Sequence, residues 1–128
     1  MVQSDVIRGL FAVPNNGGVV GRLARLAANA TTGKPEAVPP GAVPPFGPYC
    51  IVDDASAANA SLLPLEAGAL VRLPLSGACA VGNGLFVTAD GKVEKRAEPA
   101  AGSVGVAFAA EAGVDGQAIL ARPHLWQV

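Results

Sequence analysis

Histidine, cysteine, aromatic side chains and charge are all scarce in this chain. Among 128 residues there are one His, two Cys, one Trp, one Tyr and four Phe. A single histidine, His124, close to the end of the sequence, leaves little for a catalytic constellation to converge on. No HExxH, GxSxG, GxxxxGK[ST] or GxGxxG occurs. The segment Gly82-Asn83-Gly84 lacks the third glycine and the following helix that phosphate binding needs. Asp53-Asp54 is a carboxylate pair with no further acid or His nearby in sequence, and it reads as a solvated turn rather than a metal site. Neither catalytic residues nor a metal or cofactor site are expected. Cys50 and Cys79 stand outside any CxxC spacing and read as buried free thiols, which could pair only if the fold brought their Cα atoms within about 7 Å. With 9 basic and 10 acidic residues the net charge is −1, which supplies no field to draw nucleic acid or an anionic membrane surface. Every apolar run is broken well short of the roughly 20 residues a membrane span needs. Met1 to Val13 carries Asp5 and Arg8 and lacks the basic-then-apolar order of a secretory signal, so synthesis in the cytoplasm is expected.

Apolar residues and backbone punctuators are abundant: 51% hydrophobic residues, with 16 Gly and 11 Pro. Many short segments joined by turns follow, in a chain long enough for one domain. Seven of the eleven prolines fall in residues 1–48, and Pro35 to Pro48 holds six of them. Ala37-Val38-Pro39-Pro40 recurs as Ala42-Val43-Pro44-Pro45 across Gly41, with no charge between Glu36 and Asp53. Such a stretch is neither helix nor central strand. A solvated linker would carry Ser, Glu or Lys, so this apolar strap is expected to lie against protein, either its own body or a neighbour. Val38, Pro39, Pro40, Val43, Pro44, Pro45 and Phe46 are accordingly candidate partner-binding residues, joined by Trp126 from the far end of the chain. Charge divides at the same place. Residues 1–48 carry four basic and two acidic side chains, residues 49–128 five basic and eight acidic. The organisation expected is an N-terminal arm over 1–48 and a body over 49–128.

Within the arm, Val19, Val20, Leu23, Leu26, Ala27 and Ala30 recur at helical spacing with Arg22 and Arg25 near the opposite edge, which predicts one short amphipathic helix. The body reads as strands at 49–52, 69–75, 85–88, 92–95, 104–109 and 117–122. Asp90-Gly91 supplies the positive-φ residue of a hairpin between the third and fourth. Strand, acidic Ala-rich turn, strand with Arg and then Pro occurs twice, from Tyr49 to Pro74 and from Val104 to Pro123. Two such hairpins flanking the Asp90-Gly91 hairpin suggest a closed or half-closed barrel. The fold class expected is mainly β: a small antiparallel barrel or sandwich body with an extended Pro-rich N-terminal arm and one short helix.

Lys92, following the Asp90-Gly91 turn, raises the alternative of a swinging-arm carrier domain with a lipoylated or biotinylated lysine. Those families, however, place the lysine at the turn itself, where here Gly91 intervenes. The run from Val81 to Val93, containing Asp90-Gly91-Lys92, then Gly102-Ser103-Val104-Gly105-Val106-Ala107-Phe108, an Ala/Gly turn to Gly113 and a last strand ending in Arg122-Pro123, resembles the capsid cement (head decoration) proteins of tailed bacteriophages. The resemblance covers residues 46–128 and leaves the first 45 aside. It implies a β-rich, non-enzymatic structural virion protein, often trimeric. Such a protein is made in the host cytoplasm, binds the outer surface of the major capsid protein lattice and stabilises the expanded head. Its partners would be that lattice and copies of itself, with no nucleic acid, membrane, small-molecule substrate or cofactor. The alternative from another class is a β-barrel binding module, either a tail or fibre-base component or a carbohydrate-binding domain. The small number of aromatics weighs against sugar binding.

Overall fold

The computed structural model describes residues 7–11, 21–40, 49–56, 59–65 and 70–128, the side chains of 7–11, 49–56 and 59–64 excepted. The described residues contain ten strands and no helix. In chain order these are β1 (Ile7–Phe11), β2 (Leu23–Ala28), β3 (Pro35–Val38), β4 (Tyr49–Ser56), β5 (Asn59–Pro64), β6 (Val71–Pro74), β7 (Gly84–Val87), β8 (Val93–Lys95), β9 (Val104–Ala109) and β10 (Ala118–Gln127). They form two five-stranded antiparallel sheets, ordered β1-β5-β4-β2-β3 and β6-β10-β9-β7-β8. In the first, the edge strands β1 and β3 approach one another, so the sheet curls towards closure and shields its edges. The mainly-β barrel or sandwich class holds.

The core forms where the second sheet turns its inner face to the first. Leu73, Leu85, Val87, Val93, Val106 and Ile119 are all at most 2% exposed. Leu23 of β2 and Leu65 after β5 join the same cluster. Register explains the inner face of β9: Leu85 opposes Ala107 and Phe86 opposes Gly105, leaving Val106 as the extra residue of a bulge. Val106 and Ala107 are both fully buried as a result, while Gly105 and Phe108 belong to the outer face. β10 reads the same way, with Ile119 and Ala121 buried and Arg122 and His124 exposed. Pro123 sits inside this strand because β6 pairs with β10 only as far as Ala121. Beyond that point β10 has β9 alone as neighbour and no ladder partner for a missing N–H on the other side.

The Asp90-Gly91 hairpin forms as the sequence predicts, with one refinement. Only Gly91 has positive φ, +90°, and Asp90 does not. Gly91 N donates to Thr88 O at 3.2 Å and Thr88 N to Lys92 O at 2.8 Å, a turn closed by a left-handed glycine. The tip then docks on the other sheet, since Leu23 N donates to Gly91 O at 2.7 Å.

Four expectations are corrected. The helix over Val19 to Ala30 is replaced by strand over Leu23–Ala28, because β2 gains ladder partners on both sides, β4 and β3. A hairpin loop from Asn29 to Lys34 sets the second pairing. Asn29 Oδ1 accepts from Thr31 N and Thr32 N at 2.8 and 2.9 Å, and Gly33 takes φ +72°. Asp53-Asp54 lies within β4, paired to Ser61 and Ala60, and is not a turn. The twofold echo does not hold either: β9 pairs with β10, whereas β4 pairs with β5 and β6 belongs to the other sheet. Finally, β1, β2 and β3, all from the stretch read as an arm, complete the sheet that β4 and β5 begin. Pro35 is compatible with strand there because β3 is an edge.

Candidate functional site

The sequence-derived partner-binding residues separate in space. Val38 and Pro39 are half-buried, and Pro40 is among the fully buried side chains, so the strap lies against its own body at that point. Val43, Pro44, Pro45 and Phe46 fall outside the described residues. Trp126 is different. It stands on β10, and the outer face of β7, β9 and β10 gathers other rings around it.

That gathering follows from two glycines. Gly105 on β9 lies directly opposite Trp126, and the indole rests on it: a Cβ at Gly105 would stand 2.1 Å from Trp126 Cε2. At Gly84 on β7 a Cβ would meet Cζ2 of the same ring at 3.1 Å. With both side chains reduced to hydrogen, the ring settles against the backbone of its neighbours. Phe108 lies nearly parallel to it, with centroids 5.0 Å apart and planes 8° apart, and Phe86 meets it edge-on at 5.3 Å. His124 leans on both, 5.6 Å from Phe108 and 6.0 Å from Trp126. Offset and edge-to-face geometries are the favourable ones for aromatic quadrupoles, worth about 0.5–1.5 kcal/mol per pair beyond the area they cover. Arg96 closes the far side with its guanidinium 5.4 Å from the Phe86 centroid, held by Glu94 Oε1 at 2.9 Å, Ser103 Oγ at 3.2 Å and Val87 O at 3.3 Å.

Beside Phe108 the face opens into a cleft of about 410 Å³, bounded by Leu70, Val81, Gly82, Ala109, Ala110 and Arg122. Leu70 and Val81 are 59% and 68% exposed, the two most exposed of the large hydrophobics among the described residues. Arg122 is exposed, and no hydrogen bond or ion pair engages its guanidinium among the described residues. Arg72, by contrast, is paired with Glu111 at 3.3 Å, and the same carboxylate oxygen accepts from Leu120 N at 2.9 Å.

No protein-family model matches the chain, and no curated protein matches it.

Among the described residues no group of three or more His, Cys, Asp or Glu is placed to hold a metal ion. Cys79 is buried and free, its Sγ 3.8 Å from Glu111 O, while the Cys50 side chain lies outside the described ones. Lys92 is half-buried, with its N–H on Thr88 Oγ1 at 3.1 Å, beside a hairpin tip packed on β2. A carrier lysine needs a free tip, and this one is occupied. The Thr88 hydroxyl donates to the Asp90 carboxylate and holds its pKa below the ordinary 3.8, against the opposing effect of burial and with smaller help from the Lys92 N–H and the charges of Lys92 and Arg22.

Reading the sequence for partner contacts singles out Trp126 but not Phe108, His124, Arg122, Leu70 or Val81, which the structure places around it or beside Phe108. The signal available was the alternation Arg122, His124, Trp126, three large side chains at every second position of a strand, which puts them on one face. Leu70 and Val81 carry no such signal, since their convergence depends on how loops on either side of the sheet fold back.

Proposed function

We propose that this chain is a capsid cement, or head decoration, protein: a non-enzymatic structural component that binds the outer surface of a phage major capsid protein lattice as a trimer and stiffens the expanded shell. The observation that carries the reading is the outer face of β7, β9 and β10. The half-buried rings of Trp126 and Phe108, two strongly exposed aliphatic residues and an arginine whose guanidinium is unengaged among the described residues lie together there. Surfaces of this composition are where protein partners bury their anchors. The resemblance of residues 46–128 supplies the identity of the partner. Many weak contacts of this kind, repeated over a lattice, add up to firm attachment.

The test is co-sedimentation of the purified chain with expanded and unexpanded shells of its phage's major capsid protein. Saturable binding to the expanded shells, at a stoichiometry of three per site, is the expected result. Failure to sediment with either form overturns the reading.

The second reading, a carbohydrate-binding module, is favoured by the same ring cluster, since sugars bind by laying apolar C–H faces on aromatic rings. A glycan array separates the two: a discrete set of bound glycans that disappears in Trp126→Ala would favour the module.

A further inference from the structure

We propose that the cleft between Leu70, Val81, Phe108 and Arg122 binds a peptide segment in which an aliphatic residue stands beside an acidic one. The inference rests on the reading that the chain attaches to another protein, and it names the chemistry of the contact. A volume of about 410 Å³ lies in the range of small binding clefts, roughly 300–1,000 Å³, and is ample for one or two side chains. Its walls are mostly aliphatic and alanyl, with one ring, so an aliphatic side chain fits them better than a sugar or a base, which would leave hydroxyls or ring nitrogens without partners.

Part of the backbone around the cleft is already engaged. Gly82 N donates to Ala109 O at 2.8 Å, Ala109 N to Asn83 O at 2.9 Å and Ala110 N to Leu120 O at 2.9 Å. Among the side chains that line the cleft the polar one is Arg122, whose guanidinium no acid of its own chain engages among the described residues. A guanidinium at the rim of an apolar cleft is complementary to a carboxylate held in place by a buried neighbour, and its forked donors take both oxygens at once. Leu70 and Val81 form the lips. Their exposure of 59% and 68% is the apolar surface that an aliphatic side chain would cover. Trp126, the only tryptophan in the chain, stacks on the Phe108 wall, so occupancy is read directly in its fluorescence.

The experiment is selection of a random dodecapeptide library on the immobilised full chain, followed by titration of selected peptides with Trp126 emission as readout. Enriched sequences are expected to carry Asp or Glu within two positions of Leu, Ile or Val and to shift Trp126 emission saturably. They should bind about tenfold more weakly to Arg122→Gln and to Val81→Ser, and more weakly as salt is raised. Both substitutions are at exposed positions, and unchanged thermal melts confirm that the variants are folded. Absence of enrichment, enriched sequences without an acid, or undiminished binding to Arg122→Gln would each overturn the proposal. Peptide binding without capsid binding would leave the cleft standing and remove the capsid reading. Capsid binding without peptide enrichment would do the reverse.

Discussion

Gly91→Ala should destabilise the protein more than its backbone conformation alone explains, because Gly91 is required twice. Its φ of +90° lies in the region that L-residues avoid, which costs roughly 1–2 kcal/mol for a residue with a Cβ. A Cβ there would also stand 2.3 Å from Leu23 O and 3.1 Å from Leu23 N, both backbone atoms of β2 that cannot rotate away. The hairpin tip must therefore lift off the first sheet, and the 2.7 Å hydrogen bond from Leu23 N to Gly91 O is lost or stretched, a further loss of about 1 kcal/mol. Leu23, fully buried in the shared core, loosens with it. The sum is about 3 kcal/mol, a large part of the roughly 5–15 kcal/mol a domain has. Gly116→Ala is the matched control, since Gly116 has φ +84° and a Cβ there would meet nothing within 4 Å, leaving the conformational cost alone. Urea unfolding of the two variants and the wild type decides it. The expected difference between the variants is about 1–2 kcal/mol in favour of Gly116→Ala. Equal losses in both would refute the docking of the hairpin on β2.

Gly105→Ala should push the indole of Trp126 off the sheet, since a Cβ would lie 2.1 Å from Cε2, with a red shift of tryptophan emission and a loss of about 2 kcal/mol by thermal melt. Thr88→Val should return the Asp90 pKa towards its ordinary 3.8, measured by NMR titration of the carboxyl. A lowered folded-state pKa contributes stability above the unfolded value that is lost as pH falls through the folded one. The stability gap between wild type and Thr88→Val should therefore be open at neutral pH and close in acid. Removing residues 1–48, which takes away β1, β2 and β3, should unfold the first sheet and expose the core that Leu23 covers, seen as a lost cooperative melt. Lys92→Ala should leave stability nearly unchanged, and intact mass should show no lipoyl or biotinyl increment on the wild-type protein expressed with the corresponding ligase.

The second sheet was largely legible in the sequence. Val104–Ala109 matches its predicted strand, and β6, β7 and β8 lie within a residue or two of theirs, because period-2 burial and Gly or Asp-Gly turns bound each one locally. The sequence pattern ends the last strand at Arg122, since Pro123 is a strand breaker unless one side of the strand is free, and only the register with β6 reveals that freedom. The first sheet was mostly illegible. Leu23, Leu26 and Ala27 fit a helical face as well as a strand, and the choice is made by partners distant in sequence, β4 and the Gly91 tip. The outer-face rings were visible as residues but not as a group, because two glycines on neighbouring strands bring Trp126 and Phe108 together. The cleft depends on Leu70, Val81 and Arg122 meeting across three separate segments, which no local pattern encodes.

The attachment proposed is to the outside of a capsid lattice, through the outer face of the second sheet. A cryo-EM reconstruction of expanded shells saturated with the chain tests it most directly. Threefold-clustered density is expected on the outer surface, with β7, β9 and β10 turned towards the shell and Trp126 and Arg122 at the contact. Shells without added density, or density in which that face points to solvent, would contradict it.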